Sequence, residues 1–84
     1  MSTLDLTSEE EADRLIGMSI RHSSNDKPVK ALSAVEDAIG ILEDECGESL
    51  ALVYLRELRK RHEPSSFCWR ESCERAREEL GVTA

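Results

Sequence analysis

The stretch KPVKALSAVEDAIGILEDECG (residues 27–47) carries the clearest structural pattern of the chain. Its apolar side chains recur every three or four residues, the spacing of one face of an α-helix; they are Leu32, Val35, Ile39, Leu42 and Cys46. The opposite face is acidic, with Glu36, Asp37, Glu43 and Asp44. We predict a helix over about 27–46, with Asp26 as its N-cap and Gly47 at its end. Gly40, in mid-helix, is expected to allow a neighbouring element to approach closely.

The same periodicity predicts three further helices, over about 8–22, 49–62 and 66–80. The first begins in a capping box, because Thr7 or Ser8 precedes a glutamate by three residues. Its inward side chains should be Ala12, Leu15, Ile16, Ser19 and Ile20, and those of the last helix Trp69, Cys73, Ala76 and Leu80. The predicted fold class is therefore all-α, a small bundle of four short helices. We expect one domain, residues 1–84, with residues 1–6 as a flexible arm.

The third predicted helix begins with six apolar-type residues, LALVYL (residues 50–55). A buried strand is the alternative, but the strong helix formers that follow, together with Leu58 continuing the Ala51 and Leu55 stripe, favour a helix. Its apolar first half covers most of the helix circumference. The helix should therefore contact more than one neighbour, either as the centre of the bundle or as part of a homodimer interface.

Charge is distributed unevenly along the chain. Residues 1–50 hold twelve acidic and four basic side chains, whereas residues 51–84 hold six acidic and seven basic ones, which gives the net charge of -7. The bases are densest around Arg56, Arg59, Lys60 and Arg61, at the predicted end of the third helix. Cations complement the helix dipole there, so this cluster has a structural explanation beside a functional one.

Candidate chemistry is sparse. Zinc could be ligated by Cys46, His62, Cys68 and Cys73, with His22 in reserve. However, Cys68 and Cys73 are five residues apart, which on a helix separates them by about 140°. A nucleophilic pair of Cys68 and His62 lacks any recognisable oxyanion loop or orienting residue. We therefore expect no metal, no cofactor and no enzyme activity.

The favoured function is a small acidic protein-interaction module, a non-catalytic regulator or adaptor that binds a larger protein and can self-associate. The predicted partner-binding residues are Glu36, Asp37, Glu43, Asp44, Arg56, Arg59 and Lys60. One alternative is a nucleic-acid-associated protein that contacts phosphates through the basic end of the third helix, although the net charge opposes this. Another is an acidic inhibitor that imitates nucleic acid.

The compartment is predicted from what the sequence does not contain. It has no apolar run of roughly 18–20 residues that would cross a bilayer, and its first residues do not resemble a signal peptide. Its three cysteines are an odd number, which argues against a closed disulfide framework in a monomer. We expect a cytoplasmic protein that does not contact the membrane.

Overall fold

Four α-helices make up the fold, in a computed structural model that describes residues 7–61 and 66–81. They are α1 (Ser8–Ser24), α2 (Pro28–Ile41), α3 (Leu50–Arg61) and α4 (Ser66–Leu80), and a π-helical turn, Leu42–Cys46, extends α2. The predicted all-α bundle of four short helices is confirmed. The predicted arm, residues 1–6, lies outside the described residues.

Helix α1 begins at the predicted capping box. The Glu10 amide donates to the Thr7 hydroxyl at 3.1 Å, and the Thr7 amide donates back to the Glu10 carboxylate at 2.9 Å. The helix continues to Ser24, two residues past its predicted end, and Asn25 closes it by donating to the carbonyl of Arg21 at 3.1 Å.

The predicted N-cap of α2 is wrong. Asp26 has a φ of 58°, the left-handed conformation that Asp tolerates in turns, and therefore lies within the α1–α2 turn. Lys27 occupies the N-cap position without a side-chain hydrogen bond to the helix. Pro28 follows in the first turn and disfavours helical geometry at Lys27, so the helix cannot begin earlier.

The predicted continuous helix to Cys46 is also corrected, because its last turn is π-helical. The Gly47 amide donates to the Leu42 carbonyl at 2.7 Å, five residues back. Gly47 then adopts φ 76° and ψ -168°, a conformation available almost only to glycine. This glycine redirects the chain toward Ser49, whose hydroxyl accepts the Leu52 amide at 3.2 Å at the start of α3.

The core is built mainly from small and aliphatic side chains. Helix α1 packs along both α2 and α4, whereas α3 packs on α4 and, less extensively, on α2. Helix α3 buries Ala51, Leu52, Leu55 and Leu58, but Leu50 and Val53 remain 57% and 45% exposed. The bundle therefore encloses the apolar first half of α3 only in part. No helix within residues 7–61 and 66–81 is long and apolar enough to cross a membrane.

A buried hydroxyl joins three of the helices. Ser19 on α1 donates to the Ala31 carbonyl of α2 at 2.9 Å and accepts the Trp69 indole N–H of α4 at 3.3 Å. The Cys73 thiol lies 3.9 Å from the same oxygen. The buried Ser19 hydroxyl and the Trp69 N–H therefore both have hydrogen-bond partners inside the protein, as buried polar groups require.

Ser19→Ala is expected to lower the free energy of unfolding by about 1–3 kcal/mol, because the Trp69 N–H would stay buried without an acceptor. The matched control is Ser24→Ala, which removes an exposed hydroxyl that accepts the Arg70 guanidinium at 2.7 Å. The control should change stability by no more than about 0.5 kcal/mol. Urea unfolding followed by circular dichroism measures both; equal effects would show that Ser19 is not a structural centre.

Two glycines should respond to alanine with opposite signs. The expected close approach at Gly40 is wrong, since an added Cβ would meet nothing within 4 Å. Gly40→Ala should therefore stabilise the protein by about 0.5–1 kcal/mol through helix propensity. Gly47→Ala should destabilise it by about 1–3 kcal/mol, because alanine is strained at this positive φ. Thermal unfolding of both variants is the measurement, and a shift of the same sign in both would contradict the assigned backbone.

Candidate interaction surface

Two acidic runs, far apart in the chain, meet at one end of the bundle. Helices α1 and α2 are antiparallel neighbours joined by a short turn, so the start of α1 lies beside the end of α2. The Ser8 hydroxyl of α1 donates to the Glu45 carboxylate of the π-turn at 3.3 Å. We call this end the acidic pole; its residues are Glu9, Glu10, Glu11, Glu43, Asp44, Glu45 and Glu48.

Two arginines compensate part of the charge of the acidic pole. Arg56 on α3 lies between Glu43, at 2.6 Å, and Glu48, at 3.0 Å. The hydrogen bond to Glu43 raises the pKa of Arg56, and Glu48 adds to this effect. Arg14 pairs with Glu11 at 2.7 Å, and its hydrogen bond lowers the pKa of that carboxyl. Seven carboxylates against two guanidinium groups leave the acidic pole strongly negative.

Exposed apolar side chains border the acidic pole. Leu50 and Val53 lie on the first turn of α3. Leu50 is two residues after Glu48, and Val53 is three residues before Arg56. Tyr54 is half-buried beside them. The third large exposed apolar residue of the described chain is Val29, 80% exposed at the start of α2, the other end of the α1–α2 pair. Among the residues that the structure describes, two neighbouring exposed apolar side chains rimmed by charge therefore occur only beside the acidic pole.

The structure distributes the seven predicted partner-binding residues over three places. Glu36 and Asp37 are exposed on α2, Glu43 and Asp44 belong to the acidic pole, and the three basic residues lie along α3. Of those bases, Arg56 is engaged by the pole, whereas Lys60 lies 3.8 Å from Glu57. Arg59 is exposed.

Sequence reasoning missed three contributors to this surface. It assigned the glutamates at 9–11 to the start of α1, where they cap the helix and complement its dipole, and it did not single out Glu48 or the exposed pair Leu50 and Val53 for binding. The signal that could have found the first was the short connection between α1 and α2, which implies antiparallel neighbours. Antiparallel packing brings residues 9–11 and 43–45 to the same end.

No group of three or more His, Cys, Asp or Glu side chains within residues 7–61 and 66–81 is placed to hold a metal ion. The candidate ligands His62, and the side chains of Cys46 and Cys68, lie outside what is described. Cys73 is fully buried, and burial raises the pKa of its thiol to about 11. A buried, protonated thiol is a packing group and not a nucleophile.

Comparison with known proteins provides no relative from which a function could be transferred, since no protein-family model, no curated protein and no solved structure matches the chain. Any inference about function therefore depends on the charge, burial and geometry of the chain's own residues.

Cys73 is expected to resist alkylation in the folded protein. Its pKa is raised from 9.0 to about 11, which lowers the thiolate population near pH 8 about 100-fold relative to an unfolded thiol, and burial blocks access further. The variant Cys46→Ser with Cys68→Ser isolates this thiol, and mass spectrometry after iodoacetamide treatment with and without denaturant measures it. Alkylation at the same rate in both states would contradict the buried position.

Proposed function

We propose that this chain is a non-catalytic, cytoplasmic interaction module that binds a basic amphipathic segment of a larger protein and thereby regulates it. The observation that carries the proposal is the patch of Leu50 and Val53 at the rim of the acidic pole. Apolar contact supplies affinity when such side chains leave water, while surrounding carboxylates select and steer a cationic partner. A helix with apolar residues three and four apart and lysine or arginine on its flanks has the complementary chemistry.

Charge favours a different protein over a second copy of this chain as the occupant. A two-fold symmetric dimer places the same patch of both subunits in contact. If that patch were Leu50 and Val53, the adjacent Glu48 and Glu43 of both copies would approach each other. Like charges brought together across an interface oppose association, whereas a basic partner would neutralise them.

The ion pairs of Arg56 weigh against the nucleic-acid alternative. A phosphate would have to compete with two carboxylates already within 3.0 Å of this guanidinium, and the adjoining acidic pole repels a polyanion. Without Arg56, the exposed Arg59 and Lys60 form a small basic surface on a chain of net charge -7. A protein that binds at the acidic pole would contact the exposed carboxylates together with Leu50 and Val53. The ion pairs of Arg56 with Glu43 and Glu48 could then stay intact.

The proposal predicts that Leu50→Ser with Val53→Ser weakens binding of a basic amphipathic helical peptide about tenfold or more, because apolar burial is lost. The probe is a labelled peptide of lysine and leucine in helical spacing, followed by fluorescence anisotropy. Val29→Ser is the matched control, since it removes an exposed apolar side chain away from the acidic pole. Binding to wild type should also weaken as salt rises.

Two outcomes would refute this function. One is equal binding of a scrambled peptide of the same composition, which would reduce the effect to bulk charge. The other is a concentration-dependent dimer in sedimentation velocity that Leu50→Ser with Val53→Ser dissolves, which would assign the patch to self-association. A native partner isolated by affinity purification must be retained by Val29→Ser and lost by the double variant.

A further inference from the structure

A cleft between α1 and α4, lined by none of the residues of the patch of Leu50 and Val53, concentrates positive charge on this acidic protein. It has a volume of about 550 Å³ and is partly open to solvent. Its lining consists of Asp13, Arg14, Gly17, Met18, Arg21 and Arg77. Three of these six residues carry guanidinium groups and one carries a carboxylate, so the lining is cationic although the chain as a whole carries -7.

Arg14 and Arg77 each form a bidentate ion pair with a carboxylate. In both residues the carboxylate binds the edge of the guanidinium that carries Nε and Nη2. Asp13 accepts from Nε and Nη2 of Arg77 at 2.9 and 3.1 Å, and Glu11 accepts from Nε and Nη2 of Arg14 at 2.9 and 2.7 Å. Bidentate pairs of this kind fix the orientation of a guanidinium. They leave the third nitrogen, Nη1, out of the ion pair in both residues.

Both Nη1 atoms lie at the cleft. Nη1 of Arg77 is 3.5 Å from the position that a Cβ would take on Gly17, so it rests on the part of α1 where the missing side chain leaves space. Nη1 of Arg14 lies 3.3 Å from the sulfur of Met18. Gly17 and Met18 both line the cleft. The third arginine, Arg21, is exposed one helical turn further along α1.

We propose that this cleft binds a small phosphate monoester. Its phosphoryl oxygens accept hydrogen bonds from Nη1 of Arg14, Nη1 of Arg77 and the guanidinium of Arg21, the geometry in which arginine recognises phosphate. The carboxylates of Glu11 and Asp13 preorganise the donors and need not be displaced. The cleft is larger than a phosphate group, and Met18 provides an apolar contact for the organic part of the ligand.

The test is a titration of ¹⁵N-labelled protein with phenyl phosphate and with inorganic phosphate, at constant ionic strength set with sodium chloride. Amide shifts should concentrate at Gly17, Met18 and Arg21, and phenyl phosphate should bind more tightly. Arg21→Gln should weaken binding about tenfold. The matched control, Arg59→Gln, removes an exposed arginine on α3 and should leave binding unchanged. Arg77→Lys keeps the charge, lacks Nη1 and should weaken binding as well.

Several results would overturn the proposal. They are shifts spread evenly over all arginines, an Arg21→Gln variant that binds like wild type, and phenyl phosphate binding no more tightly than inorganic phosphate. Because Arg21 forms no ion pair among the described contacts, its variant should remain folded and decides the matter even if Arg77→Lys does not fold. Vesicles of phosphatidylcholine with phosphatidic acid test whether the phosphate monoester is a lipid headgroup. If the protein sediments with these vesicles but does not bind phenyl phosphate, the proposal of a small-molecule ligand is also rejected.

Discussion

The Ser19 hydroxyl is shared by three helices, and the arrangement of the bundle depends on it. Donation to Ala31 sets how α1 lies against α2, and acceptance from Trp69 sets how α4 lies against α1. Aliphatic packing alone tolerates many relative positions of helices, whereas a buried hydrogen bond is satisfied in few of them. The positions of the acidic pole and of the arginine cleft both follow from this placement of α1.

Charge performs different tasks in different parts of the molecule. Two basic residues of the second half of the chain form ion pairs with acidic residues of the first half. Arg56 joins α3 to the π-turn, and Arg77 joins α4 to Asp13 of α1. These ion pairs are partly exposed to solvent, so each is expected to contribute only modestly to stability by itself. Their main effect is to fix the orientation of the Arg56 and Arg77 guanidinium groups. Within the described residues, carboxylates without a basic partner lie together at the acidic pole. The molecule therefore has two distinct charged surfaces. The acidic pole is suited to a basic protein, and the arginine-lined cleft is suited to a small anion.

Periodicity was sufficient to predict the helices because local spacing determines which residues share a face. The capping box at Thr7 and the closing Gly81, with φ 71°, were predictable for the same reason, since both depend on neighbouring residues. The N-cap of α2 was not, because Asp26 fits either a cap or a left-handed turn, and the choice depends on how α1 and α2 pack. The π-turn was missed because an apolar stripe is compatible with either helical type over a single turn.

The amino-acid sequence by itself determined an all-α chain, the approximate bounds of its helices, and most of the side chains that form its core. Those properties follow from the apolar pattern within each helix. Only the tertiary structure decided that residues 9–11 lie beside the π-turn, that Leu50 and Val53 stay exposed, and that Arg14 and Arg77 share one cleft. Each of these depends on contacts between residues distant in the chain, and the pattern within a single helix does not specify which other helix its exposed face will meet.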